Sequence, residues 1–370
     1  MANFRQAIPG NRGETWIATV KVLLTGACGF VGSTIARGLQ QELSTIEIIG
    51  IDNLIRRGSE LNRNELARSG VTFRHADVRS PSDIDGLPAC DFVIDAAANP
   101  SVLAGVDSLT NSRQVIEHNL VGTINLLEYC KRYRAGFILL STSRVYSIAS
   151  LREIPFEVNE GAFRPTSFGV PGLTSKGIAE NFSTRPPLSL YGTSKLASEQ
   201  LALEYGDAFG FPVWLNRCGV LAGAGQFGKA DQGIFSFWIH SYRARRPLRY
   251  IGFGGNGYQV RDCLHPRDLV PLLLAQLGTA ATGSGIWNFG GGTENSMSLL
   301  QLSDWCAKRF GPHQVAGSDE ERPFDLPWLI LDSSRGAERW EWKPQTPLGD
   351  ILEEIARHAE QHPNWLDLTS

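Results

Sequence analysis

Short apolar runs alternate with stretches of helical periodicity over the first two-thirds of the chain. Val20–Leu24, Ile46–Ile51, Val71–His75, Phe92–Ala96, Phe137–Leu140 and Val213–Asn216 are rich in Val, Ile, Leu and Phe. Unbroken apolar runs of this kind predict strands covered on both faces. Helices are predicted between them, notably over Ser112–Arg134 and Gly192–Phe209. Strands alternating with helices argue for an α/β fold, a doubly wound parallel sheet spanning residues 20–216.

Beyond Arg217 the alternation loosens, and glycine and aromatic residues rise. Residues 217–370 are expected to form mainly a smaller C-terminal substrate-binding domain, with segments returning to the first. Two helices are predicted there, Ser298–Phe310 and Leu348–Glu360, the first opened by a capping serine. The 44 residues between Tyr146 and Tyr191 contain five prolines, and connections this long are lids, binding loops or disordered segments. Residues 1–19 mix charge, Pro and Gly and are expected to be a loose arm.

A length of 370 residues is enough for two to three folding units. With 42% hydrophobic and 20% charged residues the composition is globular, which excludes wholesale disorder. The net charge of −3, without a long basic block, gives no electrostatic reason to bind nucleic acid or an anionic membrane. No apolar stretch approaches the ~20 residues that span a bilayer, and the first twenty residues lack a secretory apolar core. The cysteines (Cys28, Cys90, Cys130, Cys218, Cys263, Cys306) stand at least 40 positions apart. That spacing gives neither a metal site nor a disulfide framework, so reduced thiols, a cytoplasmic location and no bound metal are expected.

The first strand runs into Gly26-Ala27-Cys28-Gly29-Phe30-Val31-Gly32, a GxxGxxG turn before a helix. Such glycines permit close backbone approach to a pyrophosphate, and the helix N-terminus offers N–H groups to it. Asp52 ends the second strand twenty residues after Gly32. A carboxylate there accepts ribose hydroxyls and repels a 2′-phosphate, which favours NAD over NADP; Arg56 and Arg57 nearby temper that preference. Tyr191 and Lys195 lie four residues apart on a predicted helix and share a face. An adjacent cation is expected to lower the phenol toward a useful base. The fifth strand ends in Ser141 and Thr142, hydroxyls at the carboxyl edge of the sheet where α/β folds bind ligands.

Together with Asp77-Val78 and Asn119 in HNLVGTINLLE, these motifs resemble the extended short-chain dehydrogenase/reductase family, from about residue 20 to at least 270. The resemblance implies a Rossmann-like domain, NAD, and a nucleotide-sugar substrate. It implies catalytic Thr142, Tyr191 and Lys195. Gly26, Gly29, Phe30, Val31, Gly32, Asp52, Asn53, Asp77, Val78, Ala96, Ala97, Ala98, Asn119, Ser141, Tyr191, Lys195 and Arg217 would then hold the cofactor. Thr142, Gln226, Phe227 and Arg261 would face the substrate, with Arg261 on its diphosphate. The segments GAGQFGKADQGIFSFW and GNGYQVRDCLHPRDL resemble the subgroup that inverts C2 of a CDP-linked 3,6-dideoxyhexose. Dehydratases of the family carry an Asp-Glu pair directly after the strand-end threonine. Ser143 and Arg144 stand there instead, which removes the acid–base couple for eliminating water. An epimerase acting at C4 or on a UDP-, GDP- or dTDP-sugar is the near alternative, and a non-catalytic NAD-binding regulator the distant one. A homodimer through the two long helices is implied. His265 before Pro266 reads as a structural histidine or a substrate contact, and Arg243, Arg245 and Arg246 as a solvated helix end.

Overall fold

The computed structural model describes residues 19–106, 111–229, 232–279 and 284–369, so the N-terminal arm expected over 1–19 lies, but for its last residue, outside the described residues. Seven strands form the main sheet: β1 (Val20–Thr25), β2 (Ile46–Asp52), β3 (Thr72–His75), β4 (Phe92–Asp95), β5 (Gly136–Thr142), β6 (Val213–Cys218) and β7 (Gly285–Phe289). They lie in the order β7-β6-β5-β4-β1-β2-β3, every pairing parallel. The chain moves outward from β1 through β3, then crosses back to lay β4 on the other side of β1. The carboxyl ends of β1 and β4 therefore flank a topological switch point, where open α/β sheets bind ligands.

The apolar runs are continuous because helices cover both faces. On one face α1 (Phe30–Glu42) buries Ile35, Ala36 and Leu39 beside Leu269 and Leu273 of α5 (Leu269–Gly278) and a Trp214–Trp287–Trp340 group. On the other, α2 (Gly122–Tyr133) buries Leu126, Leu127 and Cys130, with Ala202 of α3 (Leu190–Phe209), against Phe137 and Leu139. Thus β7 and α5, both from beyond residue 217, complete the first layer. The helix predicted over Ser112–Arg134 is interrupted by a π-turn at Glu117–Val121.

The remaining C-terminal elements build a second core. Helices α4 (Ile234–Arg243), α6 (Leu299–Phe310) and α7 (Leu348–Gln361) enclose Phe235, Trp238, Ile239, Leu302, Cys306, Ile351 and Ile355. Ser298 caps α6 through a full capping box with Gln301. Strands Val220–Leu221, Val260–Leu264, Ser296–Ser298 and Trp328–Leu329 form a small sheet beside the crevice.

The long 147–190 connection is folded rather than disordered. It carries a helix at Ile148–Arg152 and two short hairpins. Its apolar residues Ile148, Leu151, Leu173, Ile178 and Phe182 pack with Leu326 and Trp328–Leu331, which gives it a core of its own.

Candidate active site

The glycine turn meets the end of β4 at van der Waals contact. Gly26 has φ +62°, and a Cβ there would come within 2.9 Å of the Ala96 carbonyl oxygen. A Cβ on Gly32 would lie 2.1 Å from the Gly26 oxygen, so the turn closes only with glycine at both positions. Gly29 is the N-cap of α1, with Phe30 and Val31 in its first turn. No side chain caps that end, and uncapped N–H groups at a helix start are the donors that suit a pyrophosphate.

Asp52, at the end of β2, braces the turn. One carboxylate oxygen accepts the Cys28 N–H at 3.0 Å, the other the Leu54 N–H at 2.8 Å. Burial pushes this carboxyl up, and those amides oppose the shift. Asn53 donates to Asp77 at 3.0 Å, and Arg79 grips Asp77 with a closest contact of 2.6 Å, holding its carboxyl far below the usual range. A cavity of about 530 Å³ opens beside Asp77, Arg79 and Glu117. Val78 is buried against Gly122. Ala96, Ala97 and Ala98 follow β4, and the Ala97 N–H donates to Thr25 Oγ1 at 3.0 Å while Thr25 donates to Asp95 at 2.7 Å.

Ser189 accepts the Gly192 N–H at 3.0 Å and starts α3 just before Tyr191. The Tyr191 phenol lies beside the Thr142 hydroxyl. Burial pushes that phenol up from its ordinary value, while Thr142 and the charge of Arg144 pull it back. The lowering cation expected from sequence is thus Arg144 in this structure, not Lys195. Lys195 is itself buried at 1% exposure; desolvation pulls it down, and the carboxylates of Asp95 and Glu199 hold it up.

Several of the expected cofactor residues bond within the protein. Arg217 is 3% exposed and pairs with Glu199, its Nη2–H donating to Oε2 at 2.7 Å and its Nε–H to Oε1 at 3.0 Å. Its remaining nitrogen donates to the Tyr146 hydroxyl and the Glu180 carbonyl. Every arm of that guanidinium is engaged within the protein. Ser141 likewise donates to Glu199 at 2.5 Å. Asn119 accepts the Asn99 N–H at 2.8 Å and donates to Ser194 Oγ at 3.0 Å, so it fastens the site's walls. Gln226 donates to the Leu221 carbonyl at 2.7 Å, and the Phe227 ring stacks on Trp365 at 5.8 Å. Both are buried toward the C-terminal segment.

Arg261 lies on the crevice side of the small sheet. Its Nη2–H donates to Asp325 Oδ1 at 3.0 Å, and both side chains are largely buried. Arg322 and Arg144 add charge beside it, and a cavity of about 310 Å³ is lined by Phe253, Glu320, Arg322 and Asp325. Arg322, Asp325 and Glu199 were not read from the sequence, since no local motif marks them. His265 is buried, caps the turn at Pro266 and meets Glu354. Arg245 donates to the carbonyls that end α6, and Arg246 pairs with Asp367. All six cysteines are buried and unpaired. Among the described residues no group of three His, Cys, Asp or Glu is placed to hold a metal, and no helix is long and apolar enough to cross a membrane.

A glycine cradle at the switch point, an aspartate at the end of β2 and the set of Thr142, Tyr191 and Lys195 fit a dinucleotide-dependent enzyme. Residues 22–290 match the NAD dependent epimerase/dehydratase family, and the chain belongs to it; its cofactor is NAD. The chain is 30% identical to the CDP-paratose 2-epimerase of Salmonella typhi over 91% of this chain and 98% of that one. A putative UDP-glucose 4-epimerase of Methanocaldococcus jannaschii is 27% identical, over 93% and 98% respectively. The fold superposes on the UDP-glucuronic acid 4-epimerase of Bacillus cereus, solved with UDP-glucuronic acid and NAD, with a TM-score of 0.72 at 24% identity. That match covers 92% of this chain and 99% of that structure.

Proposed function

We propose that this enzyme inverts C2 of a CDP-linked 3,6-dideoxyhexose, converting CDP-paratose to CDP-tyvelose. The observation that carries the reading is its 30% identity to a CDP-paratose 2-epimerase along nearly the whole length of both chains. Ser143 and Arg144, where a dehydratase needs an acid and a carboxylate, agree with epimerisation. NAD, when bound, supplies hydride removal from the sugar carbon and hydride return, so the sugar passes through a 2-keto form.

The chain's own residues supply the remainder. Gly26, Gly29 and Gly32 leave room for the pyrophosphate, and Asp52 receives the ribose hydroxyls. Tyr191 takes the proton of the C2 hydroxyl and later gives it back. Thr142, beside that phenol, orients the sugar oxygen. Lys195, kept cationic by Asp95 and Glu199, faces the nicotinamide ribose. Residues 217–370 form most of the substrate side, Arg261 meets the diphosphate, and the enzyme works as a cytoplasmic homodimer through α2 and α3.

A panel of CDP-, UDP-, GDP- and dTDP-sugars in heavy water, followed by NMR, tests the reading. Inversion at C2 of the CDP-sugar is expected. Inversion at C4, or turnover of another nucleotide alone, would replace it, and no turnover together with retained NAD would indicate a regulator. Sedimentation at micromolar concentration is expected to show the dimer.

A further inference from the structure

Arg144 forms no salt bridge among the described residues, and the nearby carboxylate, Asp325, is paired with Arg261. The Arg144 main-chain N–H donates to Thr142 Oγ1 at 3.2 Å. Its carbonyl oxygen abuts the start of α3, where a Cβ on Gly192 would lie only 2.2 Å away. The backbone of Arg144 is therefore fixed to both halves of the Thr142–Tyr191 pair. The guanidinium makes one hydrogen bond, from Nη1–H to the Phe324 carbonyl at 3.2 Å, and its other N–H groups have no partner among the described residues.

The charges around it come from three segments: Tyr191 on α3, Arg261 on the small sheet, and Arg322 and Asp325 on the loop before Trp328–Leu329. Asp325 is already bonded to Arg261, Gln259 and its own neighbour's N–H. Burial and the repulsion of Arg261 pull the Arg144 guanidinium down to about 9. Keeping an unpaired cation in a partly desolvated crevice costs stability. Such a cation is retained at no loss where an anionic ligand completes it, and guanidinium with unused N–H groups suits the paired oxygens of a phosphate.

We propose that Arg144 binds the phosphate attached to the sugar's anomeric carbon, and that this contact is what presents C2 to Tyr191. The second part follows from connectivity. C2 adjoins the anomeric carbon, whereas C4 lies across the ring. An anion clamp built into the turn that also holds Thr142 and Tyr191 leaves little room between the phosphate and the reacting oxygen. A C4 reaction would need that clamp to stand a ring's width further off. The proposal rests on the nucleotide-sugar reading above but not on the identity of the base.

The test measures calorimetric binding of CDP and CMP to the NAD-loaded enzyme, wild type and Arg144→Gln. A hydrogen-bonded charge contact is worth about 1.5–3 kcal/mol, so CDP should bind about 10- to 100-fold more weakly to the variant while CMP stays within about threefold. Arg144→Lys should recover part of the loss. Because no ion pair is broken, unliganded Arg144→Gln should melt no lower than wild type. Equal loss for CDP and CMP, no loss for either, or a clearly lowered melting temperature would overturn the proposal. Wild type is first compared with CDP, UDP, GDP and dTDP. If another base binds tightest, the cytidine reading fails, and the Arg144 comparison runs with that diphosphate and its monophosphate. If no nucleoside diphosphate binds, both fall.

Discussion

Asn119 donates from Nδ2 to Ser194 Oγ at 3.0 Å, which ties the π-turn before α2 to the turn of α3 that carries the catalytic pair. Ser194 stands between Tyr191 and Lys195, and Ser198 on the next turn donates to the Asn119 carbonyl at 3.2 Å. The extra residue of a π-turn rotates the helix locally, and such turns collect at functional sites. Asn119→Ala would leave the Asn99 N–H and the Ser194 hydroxyl without their buried partner. A loss of about 1–3 kcal/mol is expected, read by urea unfolding. Turnover should fall more than substrate KM rises, since the damage is to the placement of the catalytic groups.

Tyr191 keeps its ring packed against Val102 and Val115 while its hydroxyl meets Thr142. Tyr191→Phe preserves the packing and removes the titrating group. Nucleotide binding should persist while turnover drops by roughly 10²–10⁴. A rate within a few-fold of wild type would assign the proton transfer to another residue.

Asp52, the proposed partner of the cofactor ribose, accepts the Cys28 N–H of the glycine turn and the Leu54 N–H of its own loop. Wild type should therefore hold NAD far better than NADP, since the carboxylate repels a 2′-phosphate. Asp52→Ala should narrow that gap and also weaken NAD itself, because the turn loses its brace. Fluorescence titration with both cofactors measures each effect.

A third group titrates away from the crevice. His240 on α4 and His358 on α7 approach at 3.2 Å, and the tilted rings of His358 and His362 have centres 4.5 Å apart. Burial pulls His240 down to about 3 and His358 to about 4, helped by His362 and, for His240, Arg243 and Arg246. Glu354 opposes the shift at His358. Both folded values lie below the unfolded value near 6.5, so the unfolded chain binds more protons on acidification. Stability present above pH 6.5 should be lost as the pH falls toward 4, by about 2–4 kcal/mol at pH 5. Melting temperatures across that range check the slope, and His240→Gln should flatten it.

How far the sequence could lead is visible at particular residues. Unbroken apolar runs gave β1 to β6 nearly in full, because a parallel sheet covered on both faces writes itself as such runs. The strand β7 escaped, since Gly285–Phe289 is short, contains Asn288 and borders a glycine tract. At the site, Tyr191 and Lys195 were legible because helix periodicity places them on one face. The direction of the Arg217 side chain was not legible, because a strand end specifies a position but not where a long side chain points. Its direction is set by Glu199 on α3 and Tyr146, 18 and 71 residues away in sequence. Asp325 lies 64 residues from Arg261, and only folding shows that the two are paired. Arg144 registered as a departure from the family pattern, and its lack of a salt bridge became visible only once its neighbours were in place.

The fate of the transferred hydride is the sharpest check on epimerisation. If one carbon is oxidised and then reduced within a single catalytic cycle, the hydrogen removed from it returns to it. In the proposed mechanism Tyr191 exchanges only the hydroxyl proton. Ser143 and Arg144, which follow Thr142 in the chain, offer a hydroxyl and a cation, neither of which abstracts a proton from carbon. Substrate deuterated at C2 should therefore give inverted product that keeps its deuterium in ordinary water, with no NADH accumulating in step with product. Deprotonation at carbon would wash the label into solvent, and a dehydrogenase would pass it to NADH. NMR of the product together with absorbance at the nicotinamide band separates the three. Loss of label would replace hydride return by a carbanion route, and labelled NADH would make the enzyme an oxidoreductase. Retention with inversion at C2 would establish both the chemistry and the carbon.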